Sequence, residues 1–422
     1  MRNRILLALT VMFLAGCRHA TPPPAVAPPA PPKPEAQSTK EPPAAPEADV
    51  TSVVAGFNRF ALRLLHTQPK GQNLCFSPYS AAACLTMAYA GARGETAKQM
   101  ADVLGQSLPA EKLHPAAARL DWQLKDRRND SVELCTANAL WADRAEQPRP
   151  AFQSLLSETY GAELRLVDFR TEPTQACQAI NRLAADQTRG HINELLDPSA
   201  VTSDTMLVLT NAVYLKAPWS EPFDETKPGP FHRADGRAVT APLMHNRIEI
   251  PYARTEHWTA VQLPYAGEDL AMLLILPAGK LSEFEANLKA DALAGIVDRL
   301  KDTEIRLVMP KFEQRSALHL ISALKSLGMA AAFDKNKADL SGMFEKPKVW
   351  IEAVEHRAWI KVDEQGTEAA AATGLSPVTA APAPEPKLPP EVRFDRPFLY
   401  AIRHIPTRAV LFLGRVADPT AH

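Results

Sequence analysis

From Val53 onward apolar residues recur at helical spacing through Phe57, Phe60, Leu64 and Leu65, which predicts an amphipathic helix opening a folded domain. Far downstream the period changes. Val354 to Asp363 alternates apolar and polar residues and reads as a strand, while Phe394 to Ile402 and Ala409 to Val416 read as two buried strands joined around Pro406 and Thr407. Between these strands lies Gly366-Thr367-Glu368-Ala369-Ala370-Ala371-Ala372-Thr373, followed by a Pro-rich stretch. Composition alone favours a helix of about two turns here, since Ala is the strongest helix former. The flanking strands reverse that expectation. In period-2 geometry Thr367, Ala369, Ala371, Thr373 and Leu375 share one small, apolar or hydroxylated face, and Glu368, Ala370, Ala372 and Gly374 share the other. With no large side chain to anchor it to a core, the segment is expected to be a strand held in reserve on a long exposed loop.

Composition changes this picture mainly at the N-terminus. Arg2 and Arg4 precede the apolar run Ile5 to Leu14, which is too short to span a bilayer as a mature helix and fits the core of a signal peptide. Leu14-Ala15-Gly16-Cys17 closes it in the form of a bacterial lipoprotein cleavage box, and a diacylglycerol thioether is expected on Cys17. The competing expectation is an ordinary signal peptide cut near Ala15 or Ala20. Arg18 to about Asp49 is mostly Pro and Ala, which cannot bury a core. At about 3.1 Å per residue such a tether reaches at most about 100 Å. The expected organisation is therefore a signal peptide over 1–16, a tether over 17–49 and a folded domain over 50–422. The expected location is the bacterial cell envelope, lipid-anchored, at the outer membrane and facing the periplasm or the cell surface.

The full chain has 422 residues, 46% of them hydrophobic, enough for one or two sizeable cores. Forty-seven basic and 48 acidic residues leave a formal charge of −1, which argues against nucleic acid as a partner. Lys125, Arg127 and Arg128 hint at a polyanion patch, but Asp121, Asp126 and Asp130 are interleaved with them, so a solvated mixed-charge face is expected. Beyond Cys17 the cysteines are Cys75, Cys84, Cys135 and Cys177; their spacing dictates no disulfide, and Cys75 and Cys84 lie in apolar runs that predict burial. There is no CxxC or HExxH pattern, and neither metal nor cofactor is expected. Nor is there a GxSxG elbow or a phosphate-cradling glycine loop. A triad of Ser77, His356 and Asp363 can be imagined, but His356 reads as an ordinary strand position, and no enzyme is expected.

Taken together, the motifs resemble those of the serpins, inhibitors of serine and sometimes cysteine proteases. Asn73-Leu74-Cys75-Phe76-Ser77-Pro78-Tyr79-Ser80 with Gly91-Ala92-Arg93-Gly94-Glu95-Thr96 is similar to the family's first strand-to-helix stretch. Ala137-Asn138-Ala139-Leu140-Trp141, and Thr210-Asn211-Ala212-Val213-Tyr214-Leu215-Lys216-Ala217-Pro218-Trp219, continue the resemblance. So do Leu263-Pro264-Tyr265, Met309-Pro310-Lys311-Phe312 and Asp339-Leu340-Ser341-Gly342. Phe394 to Phe398 with Phe412-Leu413-Gly414-Arg415 resembles the C-terminal signature. His245 after Met244 is a small departure.

The resemblance implies an α+β fold with a large mixed sheet, two smaller sheets, eight or nine helices and an exposed reactive-centre loop at about 364–390. It implies a monomeric suicide-substrate inhibitor whose covalent partner is a serine protease. The hinge would comprise Glu364, Gly366, Thr367, Glu368, Ala369, Ala370, Ala371, Ala372 and Thr373, with Trp219 beneath the point of entry. Fourteen positions beyond Gly366 the family's scissile residue falls on Ala380, followed by Ala381. The stretch to Pro389 is longer than is typical, which leaves Thr379-Ala380 and Lys387-Leu388 as rivals. Cutting at Lys387 would bring Pro382, Pro384 and Pro386 into a central strand, where each deletes a ladder hydrogen bond. Val378-Thr379-Ala380 suits a shallow pocket of the elastase kind, or a subtilisin-like one. The alternative expectation is a non-inhibitory family member acting as a surface binding or carrier protein.

Overall fold

The computed structural model describes residues 41–125, 132–289, 291–345, 348–368 and 388–421. Cys17, the hinge residues Ala369, Ala370, Ala371, Ala372 and Thr373, and the Ala380-Ala381 bond lie outside them.

Helix α1 (Glu47–Thr67) starts just before the expected boundary at 50 and buries the predicted stripe of Val53, Phe57, Phe60, Leu64 and Leu65. Strand β1 (Leu74–Phe76) leads into α2 (Pro78–Tyr89). The turn between them is written locally: Ser77 caps α2 by accepting the Ser80 N–H at 3.1 Å, and Pro78 takes the first helical position, where no N–H is needed. Helix α3 (Gly94–Leu104) ends on Gly105 in the left-handed conformation. Then come α4 (Ala110–Lys125), β2 (Glu133–Asp143), α5 (Pro150–Tyr160), β3 (Leu164–Val167) and α6 (Pro173–Gln187).

The middle of the chain is mostly strand: β4 (Leu207–Pro218), β5 (Glu225–His232), β6 (Ala238–Arg254), β7 (Trp258–Pro264) and β8 (Leu270–Pro277). Two short helices, α7 (Leu281–Asn287) and α8 (Ala292–Val297), precede β9 (Lys301–Pro310), β10 (Phe312–His319) and α9 (Leu320–Ser326). The chain closes with β11 (Ile351–Asp363), the two-residue β12 (Gly366–Thr367), β13 (Glu391–Arg393), β14 (Phe398–His404) and β15 (Val410–Val416). The described residues thus hold nine α-helices and two sheets, the α+β architecture expected. The strand predicted over Val354 to Asp363 is β11, and the two predicted C-terminal strands are β14 and β15, buried at every position.

The six-stranded sheet runs β10-β11-β12-β4-β2-β3 and mixes parallel with antiparallel pairs. The strands expected in two smaller sheets form one hydrogen-bonded path, β1-β15-β14-β8-β7-β6-β9-β13, with β5 also on β6. The long β6 makes the join, pairing β5 and β9 along most of its length and β7 at its end. One face of the six-stranded sheet carries Leu209, Val213, Leu215 and Ala217 into the main core. The other carries Val208, Ala212, Tyr214 and Trp359 into a second core roofed by Cys177, Ile180 and Ala184 of α6. Alternation along β4 assigns its residues to these two cores in turn.

Candidate functional site

The six-stranded sheet has a seam between β4 and β11 that is closed along most of its length and open at one end. From Ile351↔Leu207 to Trp359↔Tyr214 the two strands pair directly and in parallel. Beyond that pair β12 lies between them, antiparallel to both: Gly366 faces Asp363 and Pro218, and Thr367 faces Val362 and Ala217. Two residues of the predicted hinge therefore already form a third strand inserted as a wedge.

Each wedge residue is chosen by its surroundings. Gly366 has φ +152°, and a Cβ there would collide with the Ala217 carbonyl and the Pro218 Cα, so only glycine lets the chain turn in at this point. Thr367 is fully buried, and its hydroxyl bonds to the Tyr265 hydroxyl at 2.6 Å. A buried hydroxyl without such a partner would cost about 1–3 kcal/mol. Trp219, the residue expected beneath the point of entry, lies against this turn. Its indole stacks on Tyr265 at 4.5 Å, its ring N–H donates to the Asp363 carbonyl at 3.0 Å, and its backbone N–H donates to Gln365 O at 2.9 Å. The turn into the wedge is thus hung on Trp219 by both side chain and main chain.

Glu364 fixes the turn from the opposite side. The Thr226 hydroxyl donates to its carboxylate at 2.5 Å, the Lys311 ammonium pairs with the same oxygen, and the Phe223 N–H bonds to its carbonyl at 2.9 Å. Burial alone would raise its pKa, but the hydrogen bonds from Lys311 and Thr226 outweigh that and hold it below the usual carboxylate range. Glu368, the next residue after the wedge, has φ +43°, and its N–H donates to Lys361 O at 2.9 Å.

Where the seam is closed, a buried polar chain crosses it. The Ser77 backbone N–H donates to His356 Nε2 at 3.0 Å, which leaves the proton on Nδ1, facing Asn211 Oδ1. The Asn211 amide donates to Ser80 Oγ at 2.7 Å and contacts Asn138 Oδ1, and Ser80 donates to Asn138 at 2.6 Å. The chain joins α2, β11, β4 and β2 in one network. Burial lowers the His356 pKa to about 3, with the Arg357 charge acting in the same direction, so the ring is neutral, in keeping with its tautomer.

The imagined Ser77, His356, Asp363 triad is not assembled. His356 takes the backbone N–H of Ser77, the Ser77 hydroxyl is spent as a helix cap, and the Asp363 carboxylate accepts the Gln365 N–H at 2.9 Å. Sequence reasoning passed over the network itself, as well as Tyr265 and Lys311 as partners of the hinge. The available signal was Asn211 and His356 standing in otherwise apolar strands, where a buried polar side chain needs a partner. Among the described residues no two cysteines form a disulfide; Cys75 and Cys84 are buried as expected, and Cys177 is buried too.

A family model described as serpin (serine protease inhibitor) matches residues 55–419. An uncharacterised serpin-like protein of Thermococcus kodakarensis is 36% identical over 377 residues, covering 88% of this chain and 87% of its own length. The leukocyte elastase inhibitor of Bos taurus is 35% identical over 381 residues, covering 86% of this chain and 99% of its own. Among solved structures, Serpin48 of the insect Tenebrio molitor superposes with a TM-score of 0.77 at 28% identity, covering 89% of this chain and 100% of its own. A thermophilic serpin in the native state, tengpin, gives 0.79 at 25% identity, covering 90% of this chain and 96% of its own. The chain belongs to the serpin family and has the serpin fold.

Proposed function

We propose that the chain is a suicide-substrate inhibitor of serine proteases, selective for elastase-like or subtilisin-like enzymes, that traps its target by inserting the cut loop between β4 and β11. The observation that carries this reading is the wedge: Gly366 and Thr367 occupy the head of the slot that the rest of the loop strand would fill. In the inserted state, continuing the register of β12 would bring Ala369 between Leu215 and Ile360, and Ala370 between Tyr214 and Trp359. These small residues enter a sheet interior at little steric or desolvation cost.

The chemistry belongs to the protease. Its serine attacks the carbonyl of the scissile residue, the amide bond breaks, the amine leaves with a proton, and an acyl-enzyme ester forms. The cut frees the upstream segment to add itself to the sheet, a mode of strand addition for which serpin loops are a standing example. About fourteen residues at roughly 3.3 Å each carry the ester-linked protease tens of ångströms. Pulling it against the sheet's far end distorts its oxyanion hole, and deacylation loses the donors it needs.

On this reading the scissile bond is Ala380-Ala381, with Thr379-Ala380 and Lys387-Leu388 as the bonds that mass spectrometry of the cut loop would otherwise identify. The similarity to the bovine leukocyte elastase inhibitor supports the same protease class. The lipoprotein box supports attachment of the chain to a membrane through Cys17; Cys17→Ser should release it into the soluble fraction. The test of function is to mix the chain with pancreatic elastase and run a denaturing gel. A band near the summed mass supports trapping, and complete cleavage with active protease left over contradicts it.

A further inference from the structure

Just below the wedge, β4 and β11 are held together by a side chain that belongs to neither. His191 lies in the loop after α6. Its imidazole stacks on Tyr214 of β4, with centroids 4.4 Å apart, and on Trp359 of β11, at 4.2 Å. Tyr214 and Trp359 are the last directly paired residues of the seam. On its edge His191 Nε2 sits 3.3 Å from Glu368 Oε1, the residue that follows the wedge, and the Tyr214 hydroxyl also faces that carboxylate. The second carboxylate oxygen, Glu368 Oε2, is buried without a hydrogen-bond partner. One ring thus spans both strands and touches the hinge.

Admitting a strand between β4 and β11 adds about 4.7–4.9 Å between Tyr214 and Trp359. Contacts of 4.2 and 4.4 Å to a single imidazole cannot both survive that displacement. We propose that His191 is a positioning residue for loop insertion, a proton-responsive staple that closes the seam at neutral pH and releases it as the medium turns mildly acid. This rests on the reading that β4 and β11 part to admit a strand.

The sign follows from the groups around the ring. Burial against the two aromatic rings disfavours the charged form; Glu368 favours it, and Arg315, Arg189 and Lys216 disfavour it, so the pKa is lowered on balance. Arg189 is itself paired with Glu133, and Arg315 with Glu313. Cys135 of β2 faces Tyr214. A ring released to water takes a proton near the ordinary value of about 6.5. Acid draws out the state that binds protons more readily, here the released one. Glu368 limits the size of the effect without reversing it, so Glu368→Gln should steepen the pH dependence.

A synthetic peptide with the sequence Thr367 to Ala380 would compete for the slot, and its annealing to the full chain reads seam opening without any protease. Gel mobility under native conditions and the rise in Tm follow the annealing. Between pH 8 and pH 5.5 the wild-type rate should rise severalfold, with a ceiling of about tenfold set by one unit below the ordinary histidine value. His191→Phe keeps a stacking ring without a titrating proton, and should anneal slowly with a clearly shallower pH slope than the wild type, the remainder being due to His356. His191→Ala should anneal fast at every pH. A flat wild-type profile, or an unchanged slope in His191→Phe, overturns the staple. So does failure of the peptide to anneal to either wild type or His191→Ala, because the seam then does not open. Absence of an elastase adduct would sink the inhibitory reading alone and leave the peptide result standing.

Discussion

The hinge end and the centre of the β4–β11 seam solve opposite problems. At the hinge end a third strand has already entered, and it is held by contacts that extend naturally as more chain follows: a glycine that admits the turn, a buried threonine on Tyr265, and Trp219 gripping the incoming backbone. At the centre the strands pair directly, and the polar chain from Ser77 through His356 and Asn211 to Ser80 and Asn138 fastens them to α2 and β2. Apolar and ladder contacts tolerate one more strand. A directional hydrogen-bond network does not stretch; it must break and re-form, because each orphaned group in a buried site costs about 1–3 kcal/mol. On the proposed reading, the comparison teaches where the barrier to insertion would lie: entry is prepared at the hinge end, and propagation is held back at the centre.

The largest expected effect comes from spoiling entry. Thr367→Arg places an unpaired charge at a fully buried position, a cost of several kcal/mol. About 1.4 kcal/mol already changes a branching ratio tenfold. The variant should therefore be cleaved as a plain substrate, with the elastase adduct lost from the gel and the protease recovered active. If Thr367→Arg traps as well as the parent, the wedge is not the entry.

Breaking the central network should act on stability first. His356→Ala orphans the Ser77 N–H and an Asn211 oxygen, and should lower stability by about 2–4 kcal/mol, a fall in Tm of several degrees for a domain of this size. Spontaneous peptide annealing should quicken as the lock is lost. The same residue sets an acid limb. Unfolded His356 binds a proton near its ordinary value, whereas the native site resists until about pH 3. The unfolded state therefore holds more protons in between, and stability falls as pH drops through that window. His356→Gln should flatten this part of the Tm profile, and an unchanged profile would remove His356 from the account.

Gly366→Ala comes next in size. Its Cβ would meet the Ala217 carbonyl, and its φ is one that alanine avoids at a cost of about 1–3 kcal/mol. The wedge should be expelled, with faster hydrogen exchange at the Thr367 amide, while Tm barely moves. The smallest effect belongs to Glu364. Its pair with Lys311 is partly exposed, so Glu364→Gln should cost about 1 kcal/mol or less. Because its pKa is held low, the contribution is present above the ordinary carboxylate range and fades as pH falls through the native value. A salt titration of Tm, which should affect the parent more than Glu364→Gln, checks this.

Much of the hinge end was legible in the sequence, because backbone geometry and small side chains leave local marks. Gly366 next to an alternating strand and the stripe beginning at Thr367 pointed to a strand in reserve, whereas Trp219 was singled out only through the resemblance to the serpins. The helix from Val53 and the strands β11, β14 and β15 were legible for the same reason: their periods are written in consecutive residues. The centre was not, since its network joins Ser77, Asn138, Asn211 and His356 across four elements, and no local pattern says which buried polar groups meet. His191 was hidden more deeply, in a loop whose fold is set by the packing of α6 on the sheet. The join of the smaller sheets through β6 depends on register across distant strands and left no local mark.

The most direct measurement compares Tm before and after a single cut at the loop. If the freed segment becomes a full central strand, it gains roughly a dozen ladder hydrogen bonds at about 1 kcal/mol each, and Tm should rise by about 15 °C. A cut chain that melts at the temperature of the intact one would mean that the seam never admits the loop, and would contradict the account.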